Sequence, residues 1–177
     1  MERLVAGKGG VRSPMVREYA VRAVQAVMRG QSEVDSVYNR VKTDIEFRGE
    51  FSETLQSPEV TLQLGAGDCD DHVMLMSAVL MSLGFKTRFK TISTPSDPAN
   101  YSHVYLEVQD RQTHEWIALD STVGQAYAGW EPPHAVRSKN YRTMSADDTG
   151  DVPPLVEILI GLGVAWAVQK FFSKGAR

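Results

Sequence analysis

One segment, residues 70–83, constrains the fold of this chain more than any other. Its side chains are apolar on nearly every side of a helix, and a helix that is hydrophobic all round must be enclosed by protein. Gly65 and Gly67 interrupt the chain before this segment, and Gly84 ends it. The sequence therefore predicts a buried central helix with Cys69 at its N-terminal end.

The patterns on either side of this helix differ. Residues 15–28 and 32–45 carry apolar side chains at helical spacing. Residues 85–92, 103–108 and 115–119 alternate apolar and polar side chains, which is typical of strands. Helices followed by strands predict an α+β fold, in which an antiparallel sheet packs on the buried central helix.

Composition and charge exclude several classes of function. The chain has 177 residues, enough for one well-buried domain. A net charge of −3 argues against a non-specific nucleic-acid binder, so we expect no nucleic-acid partner. The lone Cys69 excludes an intramolecular disulfide and a zinc site built from several thiolates. Residues 1–14 lack the apolar core of a secretory signal, so we expect a reducing compartment, the cytoplasm.

Three residues suit nucleophilic catalysis. A helix N-terminus favours the thiolate of Cys69, and its free N–H groups can hold an oxyanion. A thiol nucleophile also needs an imidazole for proton transfer and a carboxylate that orients the ring. His103 begins one predicted strand and Asp120 follows the next, so a hairpin would bring the two together.

The motifs around these residues resemble those of the transglutaminase-like superfamily, which is related to papain. They are GAGDCDD at 65–71, SHVY at 102–105 and WIALDST at 116–122. The segment QSPEVTL at 56–62 is similar to the one that precedes the cysteine in the microbial and phage branch. The resemblance extends over residues 16–122.

The resemblance implies a role for each of these residues. Cys69 would be the nucleophile, His103 the general base and acid, and Asp120 the orienting carboxylate. The acyl group of a peptide or protein substrate would pass through a thioester to water or to an amine. Crosslinking members usually carry Trp directly after the nucleophile, where this chain has Asp70, so we expect hydrolysis of a peptide, isopeptide or side-chain amide bond. We expect no cofactor.

Other interpretations of the same residues remain open. Gln63 would supply a side-chain oxyanion donor or be a surface helix residue. Cys69 would be a buried thiol without catalytic function, or would bind a metal together with His72 and His103, although we expect no metal. His72 itself is expected to pack or to face solvent. Asp71, like its neighbour Asp70, would oppose thiolate formation unless it points away or pairs with a cation.

The chain divides into four predicted parts. They are a flexible arm (1–14), the core (15–122), an irregular wrapping segment (123–154) and an apolar C-terminal helix (155–177). The uninterrupted apolar run in the last part is shorter than the roughly 20 residues that a membrane span needs. Its small residues at a spacing of four suit close helix packing. We expect residues 155–172 to bind a protein partner or a second copy of the chain, with membrane contact as the alternative.

A second functional hypothesis follows from this apolar segment and the phage-like resemblance. The fold would then be a structural component of a larger assembly, such as a phage virion, with weak or no catalysis. Under either hypothesis the protein is expected in the cytoplasm of a bacterial host, with incorporation into a virion under the second.

Overall fold

The computed structural model describes residues 1–25, 32–49 and 54–149. The helices are α1 (Glu2–Ala6), α2 (Pro14–Val24), α3 (Glu33–Asp44), α4 (Pro58–Leu64) and α5 (Cys69–Ser82). The strands are β1 (Glu46–Phe47), β2 (Ala66–Gly67), β3 (Thr87–Ser93), β4 (His103–Gln109), β5 (Trp116–Leu119) and β6 (Arg137–Asn140), and a 3-10 helix covers Ala146–Thr149. The predicted α+β fold is confirmed.

Three serine residues cap the N-termini of helices that surround the core. Ser13, Ser32 and Ser57 each accept a hydrogen bond from a main-chain N–H in the first turn that follows. Proline occupies the first position of α2 and α4, where its missing N–H costs nothing. These local signals define where α2, α3 and α4 start.

Helix α5 lies at the centre of the molecule, as predicted. All of its residues from Asp71 to Ser82 are buried. It packs against α1, α2, α3 and α4 and also contacts β3 and β4. This interior helix therefore lies between the other helices and the sheet.

The main sheet is antiparallel with the strand order β5-β4-β3-β6. Strand β4 runs between β3 and β5, with His103 opposite Ile92 and Leu106 opposite Leu119. A separate two-residue parallel pair joins β1 to β2, with Phe47 opposite Gly67. The pairing of β4 with β5 brings the start of one strand next to the end of the other.

Strand β6 corrects the prediction that residues 123–154 are irregular. It pairs with β3 along Arg137–Asn140, and each of its residues is exposed. An edge strand without a buried face shows no alternation of apolar and polar residues. Its sequence therefore carried no strand signal.

The N-terminal segment also differs from its prediction as a flexible arm (1–14). It contains α1, and Val5 and Val11 are 0% and 1% exposed in the core. A Cβ atom on Gly10 would lie 1.9 Å from the carbonyl oxygen of Val5, so the chain returns tightly against this helix. A five-residue helix is too short for a periodic pattern.

The predicted C-terminal helix, residues 155–177, lies outside the described residues. Its proposed partner and membrane contacts therefore stay sequence-based predictions. Within residues 1–25, 32–49 and 54–149, no helix has the length and apolar character needed to cross a membrane.

Candidate active site

Cys69 is the first residue of α5 and is partly exposed. The preceding Asp68 caps the helix, and its Oδ1 accepts from the N–H groups of Asp70 (2.9 Å) and Asp71 (3.2 Å). The cap therefore fixes the first turn in which the sulfur lies. The positive end of the helix dipole points toward this turn.

His103 and Asp120 lie side by side at neighbouring strand ends. His103 begins β4, Asp120 directly follows β5, and Nε2 of the ring is 2.7 Å from Oδ2 of the carboxylate. The other oxygen of Asp120, Oδ1, accepts from the N–H (3.1 Å) and the hydroxyl (2.7 Å) of Thr122. Asp120 is 1% exposed, so its carboxylate depends on these donors rather than on water.

The charges of the site reinforce one another. Burial lowers the pKa of His103, but hydrogen-bonding and charge interactions with Asp120 and Cys69 outweigh it and raise the pKa to about 9. Burial raises the pKa of Asp120, but His103 and Thr122 together hold it below its usual value. An imidazolium beside a carboxylate is therefore the favoured form at neutral pH. Because Nε2 of His103 is engaged by Asp120, Nδ1 is the ring nitrogen that remains.

A second histidine, His72, lies one helical turn after Cys69. It is 0% exposed, and its Nδ1 is 2.9 Å from Oγ of Ser121, the residue after Asp120. Burial lowers the pKa of His72, although the main chain of Glu46 and nearby carboxylates oppose this. The sequence analysis expected His72 to pack or to face solvent, and it missed this link to the loop that follows β5.

The side chain of Asp71 does not point away from the protein, which was one of the two arrangements expected for it. It is 0% exposed, and its carboxylate accepts from the N–H (2.9 Å) and Nε2 (2.8 Å) of Gln56. The N–H of Asp68 donates to the same group at 3.3 Å. Amide donors rather than outward orientation thus stabilise this carboxylate, and they tie the segment before α4 to the first turn of α5.

Gln63 lies on the exposed side of α4. The structure thus places it at the surface of the described chain. Its suggested function as an oxyanion donor stays a prediction.

The metal alternative for Cys69, His72 and His103 receives no support. Across the described ranges, no group of three or more His, Cys, Asp or Glu side chains is arranged to hold a metal ion. His72 directs Nδ1 at Ser121, and His103 directs Nε2 at Asp120.

Comparison with known proteins gives one family. The model of the transglutaminase-like superfamily matches residues 17–121, more than half of the chain, and this region includes Cys69, His103 and Asp120. Among solved structures, a crystal structure of a TGase is similar, with 11% sequence identity and a TM-score of 0.48. The similarity covers 70% of this chain and 35% of that one, so this chain spans about a third of its length. A search of curated proteins found no match.

Proposed function

Because the chain belongs to the transglutaminase-like superfamily, whose activity is cysteine-dependent acyl transfer, we propose that it hydrolyses a peptide, isopeptide or side-chain amide bond. The observation that carries the proposal is the buried Asp120 carboxylate 2.7 Å from the ring of His103, whose pKa also responds to Cys69. The first turn of an interior helix supplies the nucleophile, and two strand ends supply the proton-transfer pair.

In the acylation step Cys69 attacks the substrate and His103 protonates the leaving group. In the resting site His103 already holds the proton of Cys69. The sulfur attacks the carbonyl carbon of the substrate, so that a C–S bond forms and the carbonyl oxygen becomes an oxyanion. The N–H of Cys69 itself, at the positive end of α5, would donate to that oxyanion. His103 then gives its proton to the leaving nitrogen, the C–N bond breaks, and an amine departs from a thioester.

Deacylation reverses these proton movements. A water molecule gives a proton to His103 as its oxygen attacks the thioester carbon. The C–S bond then breaks, a carboxylic acid leaves, and the sulfur is again beside a protonated His103. Asp120 orients the ring and stabilises the imidazolium throughout, without being protonated itself.

The choice of water over an amine rests on Asp70. Crosslinking relatives usually carry Trp at the position after the nucleophile, and this chain has an acidic residue there. An assay for primary-amine incorporation beside an assay for carboxylate release, on the same acyl donor, separates the two outcomes. Predominant amine incorporation at millimolar amine would contradict hydrolysis.

Alkylation of Cys69 tests the activated thiol directly, since the chain has no other cysteine. We expect iodoacetamide to modify the native protein near pH 7 at least about tenfold faster than the His103→Ala variant, because the variant cannot hold the thiol proton. His114→Asn is the matched control, since His114 is exposed and asparagine tolerates its φ of 61°. Equal rates in the native protein and His103→Ala would overturn the proposed function.

The assembly hypothesis makes the opposite prediction for the same experiment. A structural component of a virion with weak or no catalysis has no need of an activated thiol. Its main sequence support, residues 155–172, lies outside the described residues. An unreactive Cys69 in the native protein would favour this alternative.

A further inference from the structure

Asp120 is the first residue of the loop that follows β5. Residues 121–126 form no strand or helix, so their main-chain carbonyl groups have no partners within a regular element. Buried carbonyl groups need donors from elsewhere in the molecule. Here the donors come from α3, which is about 80 residues distant in sequence.

Tyr38 and Lys42 supply these donors from one face of α3, because residues four apart lie on the same side of a helix. The hydroxyl of Tyr38, a residue only 2% exposed, donates to the main-chain oxygen of Asp120 at 3.0 Å. The Lys42 ammonium donates to the Tyr38 hydroxyl at 3.3 Å, and its remaining donors serve the loop beyond Asp120. The loop acceptors are the main-chain oxygens of Val123 (3.0 Å), Gly124 (3.0 Å) and Ala126.

We infer that Tyr38 and Lys42 are positioning residues, which hold Asp120 so that its Oδ2 meets Nε2 of His103. This inference rests on the proposed function. It adds two residues that lie on a helix outside the three motifs of the site. Thr122 already binds Oδ1 of Asp120, and Tyr38 holds the main-chain oxygen of the same residue. Oδ2 is then the oxygen left for the ring.

The loop is also anchored on its other side. Ser121 lies 2.9 Å from Nδ1 of His72 on α5, the helix that carries Cys69. The residue after the carboxylate thus contacts the nucleophile helix, while the carboxylate's own main chain contacts α3. A shift of a catalytic group by about 1 Å can cost on the order of 100-fold in rate, so two anchors on one short loop matter for catalysis.

The test compares Tyr38→Phe and Lys42→Met with Lys42→Arg in the full-length protein. Phenylalanine keeps the buried ring and removes the donor; methionine keeps much of the stem of a half-buried side chain and removes the charge. We expect each to slow iodoacetamide alkylation of Cys69 by about fivefold, the effect of losing one hydrogen bond. We also expect each to lower the pKa of His103, followed by NMR, by about half a unit or more. Lys42→Arg keeps a cationic donor and should restore most of both readouts.

Tyr19→Phe is the matched control. Tyr19 is a partly buried tyrosine that also lies beside a cation, Arg40, but on α2 and against α3 rather than the loop. We expect this variant to leave the pKa of His103 unchanged. Its alkylation rate should stay within about twofold of the rate of the native protein. Circular dichroism and the unfolding midpoint show which variants are folded.

Asp120→Asn separates failure of this inference from failure of the proposed function. If Asp120→Asn changes the alkylation rate and the pKa of His103 while folded Tyr38→Phe and Lys42→Met leave both unchanged, the positioning inference is wrong and the proposed function stands. If Asp120→Asn itself changes neither, the proposed function fails. Should Tyr38→Phe not fold, Lys42→Met against Lys42→Arg gives the decision alone.

Discussion

At the scale of single residues, the protonation of His103 determines what the site can do. A buried imidazole would ordinarily lose its proton more easily, yet the interactions with Asp120 and Cys69 raise the pKa to about 9. The imidazolium is therefore populated below pH 9 and disappears as the pH rises through that value. Under the proposed function, the protonated ring is the group that delivers a proton to the leaving amine.

The first prediction concerns this titration. The ring of His103 should titrate near pH 9 by NMR, and amide hydrolysis should decline as the pH rises through 9, because the proton for the leaving nitrogen is lost. Cys69→Ala and Asp120→Asn should each lower the pKa of His103, since each removes one of the groups that raise it. The exposed His114 serves as an internal reference that neither variant should affect. A ring that titrates near 6.5 in the native protein would contradict the arrangement.

Gly67 gives a second prediction at this scale. A Cβ atom on this residue would lie 2.5 Å from Cβ and 2.8 Å from Oδ2 of Asp71. The Asp71 side chain is buried and held by Gln56, so it cannot move aside without losing hydrogen bonds. Gly67→Ala should therefore lower the free energy of unfolding by about 1–3 kcal/mol in urea denaturation. Gly49→Ala, where a Cβ would meet nothing within 4 Å, is the control, and equal midpoints for the two variants would contradict the clash.

At the scale of elements, the N-terminus of α5 is the junction on which the site depends. Asp68 accepts from two N–H groups of the first turn, and Asp71 accepts from the N–H of Asp68 in return. This reciprocal cap fixes the turn that contains Cys69. The sheet then brings His103 and Asp120 to the same place through the pairing of β4 with β5.

The prediction for α5 concerns the removal of its N-terminal cap, Asp68. Asp68→Ala should lower the free energy of unfolding by about 1 kcal/mol, because two N–H donors of the first turn lose their acceptor. Asp68→Asn keeps an acceptor oxygen and should recover most of the loss. Ser32→Ala removes the comparable cap of α3, and its change in the free energy of unfolding gives the contribution of an ordinary cap for comparison. If Asp68→Asn were destabilised as much as Asp68→Ala, charge rather than hydrogen bonding would stabilise this turn.

At the scale of the whole molecule, the C-terminal apolar segment sets the remaining question. The sequence predicts that residues 155–172 contact another surface, because an exposed tail of this composition would leave a large hydrophobic patch in water. A protein partner or a second copy would remove that surface from water. The proposed catalytic groups lie within residues 17–121, the region matched by the family model, and residues 155–172 lie outside it.

Deletion of residues 155–177 tests this division. We expect the truncated chain to differ from the full chain in oligomeric state by light scattering, because an apolar contact surface is lost. We also expect Cys69 to be alkylated at the same rate in both proteins. An unchanged oligomeric state, together with unchanged partitioning onto lipid vesicles, would refute the proposed contact.

The α+β fold and the interior position of α5 could be predicted from the amino-acid pattern alone. Continuous apolar residues between glycines allow only an enclosed helix, and alternating residues after Gly84 allow a sheet. The same local patterns drew attention to Cys69, His103 and Asp120.

The surroundings of those three residues depend on long-range packing that no local pattern encodes. The contacts of Tyr38 and Lys42 with the loop after β5, and of His72 with Ser121, join residues about 50 to 85 positions apart in sequence. The exposed edge strand β6 and the buried start of the chain at Val5 were equally invisible in advance. Local periodicity reports which face of an element is apolar; it carries no information on which distant backbone oxygen a tyrosine or a lysine will meet, because chain packing alone brings those atoms together.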